Sequence, residues 1–194
     1  IASTYDGGTA NHLISGAAAR TVTLPVGAII PRLTINAPNV TVNTSGAGTI
    51  TFVQLLDLQS ALSFTNGSVN FVFSPAFTIT ATSNFIPGSG DLTFNGSFTQ
   101  SGGTFTAGAG LLTFNGTFTL SGGTFNAPAG NLPLSGAITI SNPAVFNPNG
   151  GTVQLVGSTQ FLTLPASLTL NNLTINKLPG NGVFFQTTST IIVP

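Results

Sequence analysis

The feature that most constrains this chain is a 20-residue block that occurs twice in direct succession. Asp91-Leu-Thr-Phe-Asn-Gly-Ser-Phe-Thr-Gln-Ser-Gly-Gly-Thr-Phe-Thr-Ala-Gly-Ala-Gly110 is followed by Leu111-Leu-Thr-Phe-Asn-Gly-Thr-Phe-Thr-Leu-Ser-Gly-Gly-Thr-Phe-Asn-Ala-Pro-Ala-Gly130, and the two differ mainly at single positions. A third block, 131 to 150, keeps the frame through Leu132, Leu134, Gly136, Ile138, Val145 and Gly150. A fixed period of this length is the signature of an array in which each unit buries its apolar face only against its neighbours.

Within a block the apolar residues alternate with polar ones. Leu92 and Phe94 lie on one side and Thr93 on the other, Phe98 stands between Ser97 and Thr99, and Phe105 between Thr104 and Thr106. Period-two alternation over three or four residues marks short strands, three to a unit. Asn95-Gly96, Ser101-Gly102-Gly103 and Gly108-Ala109-Gly110 separate them and supply residues that turn corners, with positive φ accessible at low cost. No block has the three-to-four spacing of a helix. The expected fold is therefore all-β, a parallel β-solenoid of roughly 20-residue, three-strand rungs, about nine rungs long if the period held throughout. Equivalent residues should stack into core ladders: Phe64, Phe85, Phe105, Phe125 and Val145; Phe77, Phe98, Phe118 and Ile138; Phe52, Phe73, Phe94 and Phe114. The fold alternative is a β-sandwich, pilin-like subunit completed by a donor strand, for which Thr190-Ile-Ile-Val193 is the candidate. A sandwich has no reason to reuse one block in register.

A longer repeat joins the two ends. Thr23-Leu-Pro and Leu33-Thr-Ile-Asn36 recur as Thr163-Leu-Pro and Leu173-Thr-Ile-Asn176, an offset equal to seven ideal rungs. The chain accordingly reads as one domain, 1–194, with an irregular start over 1–20, first rungs over 21–48, regular rungs over 49–150 and final rungs over 151–194 that are similar to 21–48. A chain that opens on Ile1 with no Met anywhere also reads as a processed or excised segment.

Composition removes whole classes of function. Only 3% of residues are charged: Arg20, Arg32 and Lys177 against Asp6, Asp57 and Asp91. Three scattered cations cannot neutralise a run of phosphates, which argues against nucleic acid and against an anionic membrane surface. With 41% hydrophobic residues the chain is no candidate for disorder, yet no stretch is long and apolar enough for a membrane span. Catalysis on solenoids of the polysaccharide-cleaving kind needs paired carboxylates, or carboxylates that hold Ca²⁺ beside a base. Here Glu is absent and Asp57 and Asp91 stand more than one rung apart, so no enzyme, metal or cofactor is expected. His12 near Tyr5 and Asp6 has neither a nucleophile nor a second His beside it. Gly88-Ser-Gly90-Asp91 lacks the Asp in every turn that calcium-binding β-rolls use.

The runs Leu111 to Phe125, Asn149-Gly-Gly-Thr-Val-Gln-Leu155 and Leu170-Asn-Asn-Leu-Thr-Ile175 resemble the repeats of large secreted bacterial β-helical surface proteins, of the filamentous-haemagglutinin and autotransporter-passenger type. The resemblance spans most of the chain. It implies an extracellular or cell-surface location and a structural or adhesive role, with the chain's partners being itself, head to tail, or neighbouring repeats, and a cell-surface or glycan receptor. Six Asn-x-Ser/Thr sequons, at Asn39, Asn43, Asn66, Asn95, Asn115 and Asn172, would accept glycans on a eukaryotic or archaeal secreted chain. Asn66, Asn95 and Asn115 each precede Gly, where a corner accounts for them. Outward Thr99, Thr119 and Thr139 form a ladder similar to the Thr arrays of ice-binding solenoids. Threonine is also simply favourable on the outer face of a strand. Glycan recognition by a solenoid face or groove is the other alternative; it calls for clustered outward aromatics, whereas most Phe here stand at inward positions and Trp is absent.

Overall fold

The computed structural model describes residues 3–4, 11–15, 20–36, 40–44, 47–53, 56–58, 62–65, 68–80 and 83–194. Every regular element among them is a β-strand, and the strands stack in parallel as a β-solenoid of about 7 turns. The first wall is an eight-stranded sheet that runs from Ile29–Ile30 through Gly48–Phe52, Val69–Phe73, Leu92–Phe94, Leu112–Phe114, Asn131–Leu134 and Thr152–Gly157 to Asn172–Lys177. The second and third walls belong to one 15-stranded sheet. They are continuous because Phe98–Thr106 and Phe118–Asn126 each bend round the corner as a single strand, with register shifts at Ser101.

That fusion departs from three separate strands per rung. The bend is made at Gly103 (φ 61°) and Gly123 (φ 73°), where the left-handed backbone favours glycine and lets the chain change direction without leaving the ladder. Gly96, Gly116 and Gly136 serve another purpose. None has a positive φ, but a Cβ on Gly116 would lie 2.2 Å from the carbonyl oxygen of Gly96 on the rung below. These corners need glycine for close approach between rungs.

Three phenylalanine ladders fill the interior. Phe52, Phe73, Phe94 and Phe114 stack on the first wall with centroids 4.7–4.9 Å apart. Phe77, Phe98 and Phe118 do so on the second at 5.7 and 5.5 Å. Phe85, Phe105 and Phe125 do so on the third at 5.2 and 4.8 Å. Across each rung the rings meet edge to face: Phe94 with Phe98 at 73°, Phe98 with Phe105 at 84°. Offset stacking along the axis and T-shaped contact across it are the two arrangements that the ring quadrupole favours, each worth about 0.5–1.5 kcal/mol beyond burial.

Two expected ladder members are corrected. Phe125 pairs with Phe146, whose ring stacks on it at 5.7 Å, while Val145 lies opposite Thr124 and is 48% exposed. The rung from Phe125 is one residue longer than 20, and one residue inverts strand parity. On the other side, Phe85 pairs with Leu62, and Phe64 falls opposite Val42. The side chain of Phe64 lies outside the described residues. Beyond these rings aliphatic residues continue the columns, with Phe114 followed by Leu134 and Leu155 and Phe118 by Ile138 and Leu162.

Rung length also explains why there are about seven turns and not nine. Phe98 to Phe118 is a step of 20 residues, but Leu33 to Leu56 is 23 and Ile138 to Leu162 is 24. The repeated end segments consequently fall out of phase. Leu33 to Asn36 belongs to a second-wall strand and Leu173 to Asn176 to a first-wall strand, so equal sequences occupy different walls. Thr190–Ile192 pairs in parallel with Ser167–Thr169 of its own chain, which leaves no donor strand of the pilin kind in these residues.

The register can be checked by paired substitutions. Phe105→Ala is expected to lower stability by about 3–5 kcal/mol and Val145→Ala by less than about 0.5 kcal/mol, as read by urea denaturation. Similar losses at the two positions would return Val145 to the core.

Candidate functional site

Chemistry-bearing side chains are sparse, and among the described residues Asp91 and Lys177 bond to backbone groups of neighbouring rungs. Asp91 Oδ1 accepts a hydrogen bond from the Leu111 backbone N–H at 2.8 Å, and the Asp91 N–H donates to Asn70 Oδ1 at 2.8 Å. This corner of Gly88-Ser-Gly90-Asp91 thus links three rungs. Tyr5, Asp6 and the side chain of His12 lie outside the described residues, as does the side chain of Asp57. Among the described residues no group of three or more acidic or histidine side chains is gathered.

The sequons divide in the same way. Asn39 and Asn66 lie outside the described residues. Asn43 is half-buried on the strand Val40–Thr44. Asn115 Nδ2, the atom a glycan would take, donates to Asn95 Oδ1 at 2.8 Å. Asn172 is exposed at the start of its strand. A second amide ladder on the third wall joins Thr106, Asn126 and Asn147, at 3.1 and 2.8 Å. Such ladders satisfy outward amides between rungs.

Two buried glutamines escaped the sequence reading because polar residues were assigned outward. Gln100 is fully buried in the column of Ile79 and Leu120; its Nε2 donates to Thr124 O at 2.9 Å while its Oε1 has no partner. Gln160 is also fully buried, and its Nε2 donates to Leu134 O at 2.9 Å and Gly136 O at 2.7 Å. Its Oε1 accepts from Lys177 Nζ, which donates in addition to Val156 O at 2.9 Å and Ser158 O at 3.0 Å. Gln160 and Lys177 form a clamp across the 24-residue step from Ile138 to Leu162, adding side-chain donors to the carbonyls of both flanking turns. Only the position of an isolated Lys in an otherwise uncharged half of the chain pointed to it.

Beside the clamp the third wall is interrupted. Ser167–Thr169 pairs with Thr190–Ile192 and not with Val145–Asn147. Beneath the gap lies a cavity of about 20 Å³ lined by apolar residues including Phe146, Val153, Leu164, Leu168 and Ile191. That is room for about one water with no polar wall to hold it, so the space has no ligand chemistry.

The outer face of the second wall is the remaining site. Thr99, Thr119 and Thr139 are in register, and the column extends to Thr78 below and Thr163 above. The parallel outward column passes through Ser97, Thr117 and Ala137, which interrupts any regular Thr-x-Thr lattice, and reaches Phe161 and Phe184. These two phenylalanines are in register, 48% and 54% exposed, with ring centroids 5.8 Å apart. Their outward direction was missed because Val183-Phe184-Phe185 can be read in either parity. No protein-family model matches the chain, and no curated protein or solved structure matches it significantly.

Burial lowers the pKa of Lys177 below its ordinary 10.5 by withdrawing the ammonium from water. The unfolded chain then binds more protons than the folded one between that lowered value and 10.5, so stability rises with pH across this window. Thermal melts should show the rise in the wild type, and Lys177→Met should flatten it. An unchanged slope in the variant would remove Lys177 as its source.

Proposed function

We propose that the chain is a non-catalytic, structural or adhesive segment of an extracellular surface protein of the filamentous-haemagglutinin or autotransporter-passenger kind, acting without metal or cofactor. The observation that carries this reading is the face presented by the last described rung. Asn172–Lys177, Val183–Phe185 and Thr190–Ile192 each pair with one strand only, so their outer backbone groups are unpaired among the described residues. Over the same end Ile175, Phe185 and Ile192 are 58%, 50% and 45% exposed.

An open strand edge around an apolar cross-section is a template for another rung. In a surface fibre that rung comes from neighbouring repeats or from a second copy stacked head to tail, a heterologous contact that propagates without closing. The uncharged walls suit a rod whose mass serves length and rigidity, and the resemblance of its repeats to secreted surface proteins points the same way.

Electron microscopy and sedimentation of the purified chain provide the test. Filaments that lengthen with concentration are expected. Ile175→Lys, which places a charge on the exposed end and leaves the ladders untouched, should shorten or abolish them without altering the melting temperature. Dispersed monomers at all concentrations and salts would defeat end-to-end assembly.

A further inference from the structure

The outer face of the second wall carries an exposed aromatic pair that the fold does not need. Phe161 lies between buried Gln160 and Leu162, and Phe184 between Val183 and Phe185, so both rings project away from the core. Between Ser97 and Thr139 the same two outward columns hold only Thr, Ser and Ala. Alongside the rings runs the hydroxyl column of Thr99, Thr119, Thr139 and Thr163. The first three make no side-chain hydrogen bond among the described residues, while Thr163 Oγ1 donates to Gln186 Oε1 at 3.1 Å. On the opposite flank Thr159 is held by Asn181, whose Oδ1 accepts from both its N–H and its hydroxyl.

We infer that this face binds a neutral polysaccharide strand laid along the solenoid axis across Phe161 and Phe184. A pyranose ring has an apolar C–H face and a polar rim, and the wall supplies the matching pattern: an aromatic floor with uncharged hydroxyls and amides beside it. From Ser97 to Gln186 the only charged residue is Lys177, which lies on the first wall with its ammonium engaged by three oxygens. An anionic glycan or a charged peptide would find no counter-charge here. A second protein copy is disfavoured by size. Two half-exposed rings offer about 200 Å² of aromatic surface, against about 800 Å² per partner in a stable interface.

The rings recur at the rung spacing, comparable with the length of one sugar residue, so adjacent residues of an extended chain can each meet a ring. One such contact is weak. A polymer engaging both rings, and the hydroxyl column beyond them, gains through effective concentration, so polymers are bound and free monosaccharides compete poorly. The inference goes beyond the scaffold reading and does not depend on end-to-end assembly.

The test is retention of the full chain on insoluble cellulose, chitin and β-1,3-glucan, with heparin as the charged control. It should be run in the Ile175→Lys background as well, so that filament formation and glycan binding are scored separately. At least one neutral glycan should retain the protein. The double variant Phe161→Ala/Phe184→Ala should reduce retention at least ten-fold, and Leu178→Ala, which removes an equally exposed apolar side chain elsewhere, should leave it unchanged. Binding to heparin alone, no retention on any neutral glycan, or equal retention of the double variant would each overturn the proposal. So would a fall in sedimentation coefficient of the Ile175→Lys protein on removing the two rings, which would make the patch a self-association surface.

Discussion

The parallel hydrogen-bond ladder sets one axial distance, and everything inside the solenoid must be compatible with it. Strands in a sheet lie about 4.8 Å apart, and the rings of Phe105 and Phe125 stack with centroids 4.8 Å apart. Backbone and core therefore share a repeat. A planar side chain can satisfy that distance by offset stacking while its edge meets the ring of the next wall, as Phe118 meets Phe125 at 87°. The rungs with all three rings keep steps of 20 or 21 residues. Where Leu and Ile take over the step varies more, from 20 residues between Leu155 and Ile175 to 24 between Ile138 and Leu162.

How much of this was legible depended on parity. The ladders through Phe73, Phe94 and Phe114 and through Phe77, Phe98 and Phe118 could be read directly, since alternation and period agreed at each position. Val145 and Phe64 could not, because a rung longer by one or more residues moves the whole inward set and only the backbone register reveals which residue is displaced. Gln100 and Gln160 were hidden by the rule that polar residues face water. The rule fails where an inward amide finds corner carbonyls to donate to, as Gln160 does with those of Leu134 and Gly136. The exposed rings of Phe161 and Phe184 were hidden by its converse.

The two kinds of polar interior residue differ in completeness. Gln160 has both ends of its amide engaged, with Lys177 closing the corner from outside. Gln100 leaves its acceptor without a partner, although the adjacent rung places Leu120 at the same position. A half-satisfied amide in an aromatic core is a cost borne by one rung of an otherwise consistent stack.

The phase difference between the matching end segments has a geometric consequence. Thr23 to Asn36 and Thr163 to Asn176 are versions of one sequence, yet Leu33 lies on the second wall and Leu173 on the first. The duplication is thus related by a screw operation, advance along the axis combined with rotation by about one wall, and not by pure translation. In any longer array that repeated the offset, a given surface motif would visit the three walls in turn. Its copies would trace a spiral around that array, presenting the same group on each of the three walls and leaving none of them blank.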